Sequence, residues 1–230
     1  MSPSWRDAFL LHAQTMEYRA ALVDADWRIG DAVREATQPY VAFSGAKDSL
    51  VMLHLVLLHS PGIMVLHWDF GPYKMPRAVF AEITMAAERL GVSLRVETSA
   101  EYGRSGFNAT NVFEREFFGR LEPQLAEEGY DLAFVGLRRQ EAIRRRLRID
   151  GNNQDGLIRQ AWPVAQWTWM DVWAHIVSND LPYVSVYDEV AGLVGYEHAR
   201  FATFFDRDLF HMGTEAVDNV LHWKWRNGPR

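Results

Sequence analysis

The heptapeptide Phe43–Ser49, FSGAKDS, brings two hydroxyls, a glycine, a lysine and an aspartate into one turn, directly ahead of the apolar run LVMLHLVLLH. Gly45 permits close backbone approach, and amides of Ala46, Lys47 and Asp48 at a helix start point into space where anions bind. Ser44 and Ser49 add hydroxyl donors, and Lys47 a mobile positive charge. Each hydrogen bond to a charged oxygen contributes on the order of 1.5–3 kcal/mol, so about four or five of them would hold a pyrophosphate firmly. The turn follows neither of the two better-known phosphate-loop patterns, G-x-x-x-x-G-K and G-x-G-x-x-G. The plain alternative is a strand-to-helix turn whose serine caps the helix, leaving Lys47 and Asp48 on a solvated first turn.

Two further groups could do chemistry. Arg138–Arg148, RRQEAIRRRLR, is rich in a cation suited to phosphoryl or sulfonyl oxygens. Asp48 and Asp69 each follow an expected strand and could hold a magnesium ion or its waters. Their plain alternatives are stabilisation of a helix dipole and capping of a turn.

These residues need a scaffold, and the sequence supplies one. The chain has 230 residues, 48% of them hydrophobic, enough for one substantial core. No apolar run reaches the roughly 18 residues a membrane helix needs, and charges are scattered through MSPSWRDAFLLHAQTMEYRAALVDADW, so the expectation is a soluble, cytoplasmic protein without membrane contact. With no cysteine in the sequence, disulfides, iron–sulfur clusters, thiolate zinc sites and thiol catalysis are excluded from this chain, and no flavin is expected. At a formal charge of −6, attraction to nucleic acid must come from a local basic patch.

Residues 4–36 read as helical, interrupted near VDADWRIGD, and Gln38-Pro39 ends that segment. YVAFS is a short strand, Asp48–His59 a helix apolar nearly all round, IMVLHWD a buried strand, Pro76–Leu90 a helix closed by Gly91, and VSLRVET a third strand. After the loop SAEYGRSGFNAT, a helix from about Val112 to Glu128 leads into the strand YDLAFVG. GLIRQAWPV is extended, and Thr168 caps a helix over WMDVWAHIVSND. Beyond Tyr187 the pattern weakens, and FATFFDRDLFHMG reads as irregular or short helical. This alternation predicts an α/β, doubly wound fold: a mainly parallel five-stranded sheet flanked by helices, within a single domain over 1–230. Its parts are a helical N-terminal extension over 1–38, a core over 39–188 and a C-terminal segment over 189–230.

The heptapeptide resembles the pyrophosphate loop S-G-G-x-D-S of the adenine-nucleotide alpha-hydrolase superfamily, which includes ATP pyrophosphatases and the phosphoadenosine phosphosulfate (PAPS) reductase family. VLHWDFGPYKMPRAVFAEI is similar to that family's second strand and following helix. DLAFVGLRRQEAIRRR is similar to its G-L-R-x-x-E-S-x-x-R segment, and QAWPVAQWTWMDVWAHIVSNDLPYVSVYD to its P-x-x-x-W-T block. The resemblance runs from about Tyr40 to Asp188. It implies that Ser44, Gly45, Ala46, Lys47, Asp48, Ser49, Asp69, Gly136 and Arg138 bind ATP or another adenine nucleotide. Lys47, Asp48, Arg138 and Arg144 would serve catalysis, and Asp48 and Asp69 would hold magnesium.

The sequence departs from the pattern in three places. Ala46 stands at the second loop glycine, and Ala142 where serine is frequent. The C-terminal tail also lacks the cysteine with which a thiol-type PAPS reductase attacks sulfur, and serine is too weak a nucleophile to replace it. The expected activity is therefore cleavage of ATP to AMP and pyrophosphate in sulfur or adenylyl transfer. DNA phosphorothioation is one setting, with a separate cysteine-bearing sulfur donor and with Arg139, Arg145, Arg146 and Arg148 along the nucleic-acid backbone. Two alternatives stay open: a sulfonucleotide enzyme that uses an external thiol or other acceptor, and a non-catalytic nucleotide-binding module. A solvated helix face is the plain reading of the arginines. Partners in view are the nucleotide, the donor protein, DNA and a second copy of the chain.

The remaining candidates read as structural. His54 and His59 are packing residues without metal-site spacing, and His67 lies beside the site. Trp162, Trp167, Trp169 and Trp173 have core spacing, and SAEYGRSGFNAT is either a mobile cover or a surface loop.

Overall fold

The N-terminal region folds as α1 (Pro3–His12) and α2 (Met16–Glu35) in the computed structural model, which describes residues 1–72, 75–105, 112–152, 154 and 156–199. The break between the helices falls at Ala13–Thr15, where the Thr15 hydroxyl accepts the Tyr18 amide. It does not fall near VDADWRIGD, because Ala25 and Ile29 within that stretch sit at helical spacing and are fully buried. β1 (Pro39–Ala42) follows, then α3 (Lys47–His59), β2 (Met64–Asp69), α4 (Arg77–Arg89), β3 (Leu94–Thr98) and the short α5 (Glu101–Ser105).

The single helix expected over Val112–Glu128 is instead a π-helix, Glu114–Leu121, joined to α6 (Glu122–Glu127). β4 (Leu132–Val135), α7 (Ile143–Asp150), β5 (Arg159–Ala161) and α8 (Trp169–Ser178) complete the alternation. The sequence pattern weakens after Tyr187, yet α9 (Val186–Val194) continues there, its Val190 and Ala191 packed into the core. The segment FATFFDRDLFHMG and the second half of SAEYGRSGFNAT lie outside the described residues.

All five strands are parallel, in the order β3-β2-β1-β4-β5. The chain winds outward from β1 through β2 to β3, then returns to β1's other side. The loops leaving β1 and β4 therefore diverge, and a crevice opens between them at the carboxyl ends of the strands. Register sorts the central residues by face. Val41 pairs with Val65 and Phe134 on one side, while Ala42 pairs with Leu66 and Val135 on the other. α3 covers the first face, packing on β1 and β4 and also against α2 and α8. Its residues from Leu50 to Leu53 are at most 1% exposed, which explains a helix with no polar side. Each such side chain contributes about 1.5–3 kcal/mol on burial.

Polar side chains pin the helical layer together. Thr168 and Asp171 exchange side-chain and backbone hydrogen bonds in a capping box that starts α8, and Asp171 also bonds His12 of α1 at 2.7 Å. Deeper in, His175 bonds the Tyr18 hydroxyl at 2.8 Å and His54 at 2.9 Å, so α2, α3 and α8 meet on one imidazole. Burial, and secondarily His54, push His175 down to about 3. The folded state thus keeps His175 neutral, whereas the unfolded chain protonates it near its ordinary value of about 6.5. This stability is fully present above that value and is lost as pH falls toward the folded value. Thermal unfolding between pH 7 and pH 4 should show a decline of up to about 1.4 kcal/mol per pH unit from this group. His175→Gln should flatten the slope, and an unchanged slope would remove His175 as its source.

Candidate active site

Gly45 turns the chain from β1 into α3 at φ +82°, and a β-carbon there would lie 2.4 Å from Ile83 of α4. Gly136, just after β4, faces the same turn: a β-carbon on it would sit 2.7 Å from the Ser49 amide nitrogen. These two glycines let the loop after β1 and the loop after β4 close on each other. No serine caps α3; its N-cap is Ala46, without a side-chain hydrogen bond. Ser44 instead accepts the Ala46 amide at 3.3 Å and shares a 2.9 Å bond with Ser49, which donates to the Ala46 carbonyl. Lys47 and Asp48 are 2% and 4% exposed, so the solvated first turn of the plain reading is absent.

Buried ions require partners, and here they have them. Asp48 accepts from Arg138 Nε at 2.6 Å and from Lys47 Nζ at 3.1 Å. Arg138 also donates to the Trp167 carbonyl and lies 3.8 Å from Glu141, which in turn pairs with Arg145. Burial alone would raise the Asp48 carboxyl, but the Arg138 and Lys47 charges overcome it and hold Asp48 well below the usual carboxylate range. Burial pulls Lys47 down against the opposing effect of Asp48. Lys47, Arg138 and Arg145 face Asp48 and Glu141, three cations against two carboxylates. With both carboxylates ionised, the cluster keeps a positive surplus toward an anionic ligand.

A cavity of about 310 Å³ opens at this cluster, a volume suited to a small ligand. Its head is formed by Ser44, Ala46, Lys47, Asp48 and Ser49, and its floor by Tyr40, Ala42, Leu66, Ala133 and Val135 of the sheet. One wall is aromatic. Phe113 and Phe117, 5.0 Å apart and stacked, meet Trp68 edge-on at 5.6 and 5.9 Å. Glu141, Arg145 and Arg148 also line it, as does Tyr187 of α9, whose hydroxyl accepts the Lys47 amide at 2.9 Å.

The structure thus gathers Ser44, Ala46, Lys47, Asp48, Ser49 and Gly136 around one cavity, with Gly45 shaping the turn and Arg138 reaching it through Asp48. The arginines between Arg139 and Arg148 divide. Arg145 and Arg148 line the cavity, whereas Arg144 and Arg146 are exposed and Arg139 bonds Gln166 and Asp150 outside it. Asp69 is not in the cavity wall: Arg77 holds it through two hydrogen bonds of 2.7 and 2.9 Å, and the Gly71 amide donates to it. Asp48 and Asp69 do not fit a dedicated magnesium site, since each carboxylate is already matched by protein cations. Among the described residues no group of three or more His, Cys, Asp or Glu side chains could hold a metal ion.

The histidines occupy structural positions: His54 bonds His175, His59 bonds Asp26, and His67 bonds the Phe43 carbonyl. Trp167 and Trp173 are core, and Trp162 lies under Arg148 at 5.5 Å. The sequence reading missed the aromatic wall and Tyr187. Phe113 and Phe117 sit four positions apart in VFEREFF, a helical stripe with nothing to distinguish it from core, and Tyr187 stood unassigned inside PYVSVYD.

Comparison with known proteins places this geometry in context. The profile of the phosphoadenosine phosphosulfate reductase domain matches residues 38–200. A phosphoadenosine 5'-phosphosulfate reductase of Alkalilimnicola ehrlichii is 31% identical over 69% of this chain and 68% of its own length. Sulfate adenylyltransferase subunit 2 of Burkholderia lata is 27% identical over 68% of this chain, and the match spans a little under two thirds, 63%, of that protein. Among solved structures, the U34-tRNA thiolase NcsA of Methanococcus maripaludis aligns with a TM-score of 0.57 at 13% identity, covering 92% of this chain and 75% of its own. PAPS reductase from Candida auris aligns with a TM-score of 0.51 at 16% identity, covering 73% and 85%. At those identities the two structures speak to fold alone. Among the described residues no helix is long and apolar enough to cross a membrane.

Asp48→Asn tests the charge cluster directly. Leaving Lys47 and Arg138 buried beside a neutral amide should cost roughly 3–5 kcal/mol. Because the folded value of Asp48 is depressed, its stabilisation is present above the ordinary carboxylate range and is lost as pH falls below it. Denaturant titrations should therefore show the wild type losing stability below about pH 4 more steeply than Asp48→Asn. Parallel curves would separate the cluster from acid unfolding.

Proposed function

The chain belongs to the phosphoadenosine phosphosulfate reductase domain family, and from that premise we propose that it cleaves ATP between the α- and β-phosphates in sulfur or adenylyl transfer. The observation that carries this reading is that Lys47, Ser44 and Ser49 line one cavity together with aromatic side chains. Such a cavity offers cationic and hydroxyl groups to phosphates and flat π surfaces to a purine. An acceptor oxygen attacks the α-phosphorus, the bond to the bridging oxygen breaks, and its electron pair leaves on pyrophosphate. Lys47 and the loop hold the departing phosphates, and Arg138 acts by keeping Asp48 and Lys47 in place. Magnesium enters on the nucleotide's phosphates, as part of the substrate.

Two features favour this over sulfur reduction by the chain itself. The sequence contains no cysteine to form a thiosulfonate, and similar proteins include one named for sulfate adenylyl transfer. Any sulfur then comes from outside this chain, and a cysteine-bearing donor protein is the source we propose. Where the acceptor is DNA, the exposed Arg146 would supply a cation to its backbone. A second reading is a sulfonucleotide enzyme with an external acceptor. Arg145 and Arg148 in the cavity wall favour it, since they could hold an added anionic group.

Incubation with MgATP and candidate acceptors should release pyrophosphate with AMP or its adduct; ADP and phosphate as sole products would overturn the mechanism. Lys47→Ala should abolish that release. Full turnover in the variant would remove the loop from the chemistry. A melting panel of ATP, PAPS, adenosine phosphosulfate and 3′-phosphoadenosine phosphate separates the readings. Ligand at a hundredfold excess over its Kd stabilises by about 2.7 kcal/mol, a shift of roughly 5–10 °C for the preferred nucleotide. The largest shift with 3′-phosphorylated ligands would favour the second reading.

A further inference from the structure

The helix α2 carries apolar side chains on two opposite sides. Successive residues of a helix are about 100° apart, so Tyr18, Ala25 and Ile29 share one side, and that side is buried. Met16, Ala20, Val23 and Trp27 share the other and face solvent, with Met16, Val23 and Trp27 at 72%, 70% and 62% exposure. Their spacing of four, three and four residues is the 3.5-residue repeat by which one helix seats against another. A lone exposed apolar residue is ordinary, but a seam of this spacing over about 17 Å marks an interaction surface. Charges flank it. Glu17 and Arg28 stand on one side of the seam, Arg19 and Asp26 on the other. Among the described residues the Glu17 and Arg19 side chains have no ion-pair partner, while Arg28 bonds Asp24 and Asp26 bonds His59.

We propose that α2 is the contact between two copies of this chain, packed antiparallel across a two-fold axis. The seam has the same spacing read in either direction, so reversal sets Met16 against the partner's Trp27 and Ala20 against the partner's Val23. Each pair joins a smaller side chain to a larger one. Parallel pairing would instead set Ala20 on its own copy and Trp27 on its own copy, a gap beside a bulge. The reversed copy also brings the partner's Asp26 level with Arg19 to within about 3 Å along the axis, and the partner's Arg28 equally near to Glu17. The α2 helix packs on α3, on the sheet face away from the cavity floor, so both cavities stay open in the pair. A seam this short belongs with the weak interfaces, and the dimer should accumulate at micromolar concentrations of chain.

Sedimentation velocity of the full chain over a concentration series tests this, with melting temperatures alongside to show that each variant folds. Wild type should pass from monomer to dimer. Val23→Glu changes an exposed position, so it should leave the melting temperature within about 2 °C and hold the chain monomeric. Arg19→Asp should weaken the dimer by about 10-fold, and adding Asp26→Arg should restore it to within about threefold of wild type. That recovery is specific to the antiparallel pair, because in a parallel one Arg19 faces the partner's Glu17 and the second swap weakens binding further. The chain has no cysteine of its own, so introduced thiols give a second measurement. Ala20→Cys and Val23→Cys proteins, mixed and oxidised, should form the mixed disulfide, whereas Met16→Cys alone should form none. A wild type that stays monomeric, as it would if a different protein covers the seam, overturns the inference. So does a dimer untouched by Val23→Glu, a double variant weaker than Arg19→Asp, or a disulfide between two Met16→Cys chains.

Discussion

Asp48 is the ion on which the rest of the site depends. Its carboxylate joins the start of α3 to the loop after β4 by gripping Lys47 with one oxygen and Arg138 with the other. Those two segments belong to oppositely wound halves of the sheet, and without a buried counter-ion their cations would drive the crevice apart. The helix N-terminus adds its own favourable field for the carboxylate. The arrangement is costly in desolvation, and replacing the whole set of ions by packed hydrophobic residues is often neutral for stability. Such a replacement would remove the cations that the crevice presents.

Glycine does the complementary work. Gly136 brings strand backbone against the Ser49 amide, and Gly45 lets Ile83 pack where a side chain would otherwise project. Close approach and ion pairing act together: the glycines bring the two loops within reach, and Asp48 fixes the distance. The serines then satisfy one another and the Ala46 amide, so the loop's own hydrogen bonds fix its shape. A loop ordered in advance spends less of its binding energy on losing conformational freedom.

The order of elements and the parallel sheet were legible because helical and extended periodicities alternate cleanly between Tyr40 and Trp173, with proline and glycine at the boundaries. The phosphate turn was legible for a different reason, its concentration of donors in seven residues. Side-chain direction along α7 was not. Arg144, Arg145 and Arg146 are consecutive and chemically identical, yet Arg145 is buried against Glu141 while its neighbours are exposed along with Ile143 and Leu147. Asp69 is the last residue of its strand, and the partner that occupies it, Arg77, lies eight positions later on another element. The N-terminal break was misplaced because Gly30 and a run of polar residues read as an interruption, while a threonine cap at Thr15 carried the true signal.

The π-helix Glu114–Leu121 gives the aromatic wall an unusual mode of variation. Each turn of such a helix holds more residues than an α-turn, and a stretch of this kind persists only where surrounding contacts sustain it. Deleting one residue from it would let the backbone relax toward α geometry and rotate every following side chain by roughly 100°. Phe117 and Phe118, which both line the cavity, would be re-aimed without either being substituted. In this fold, the aim of the cavity's aromatic wall thus depends on chain length as well as on composition.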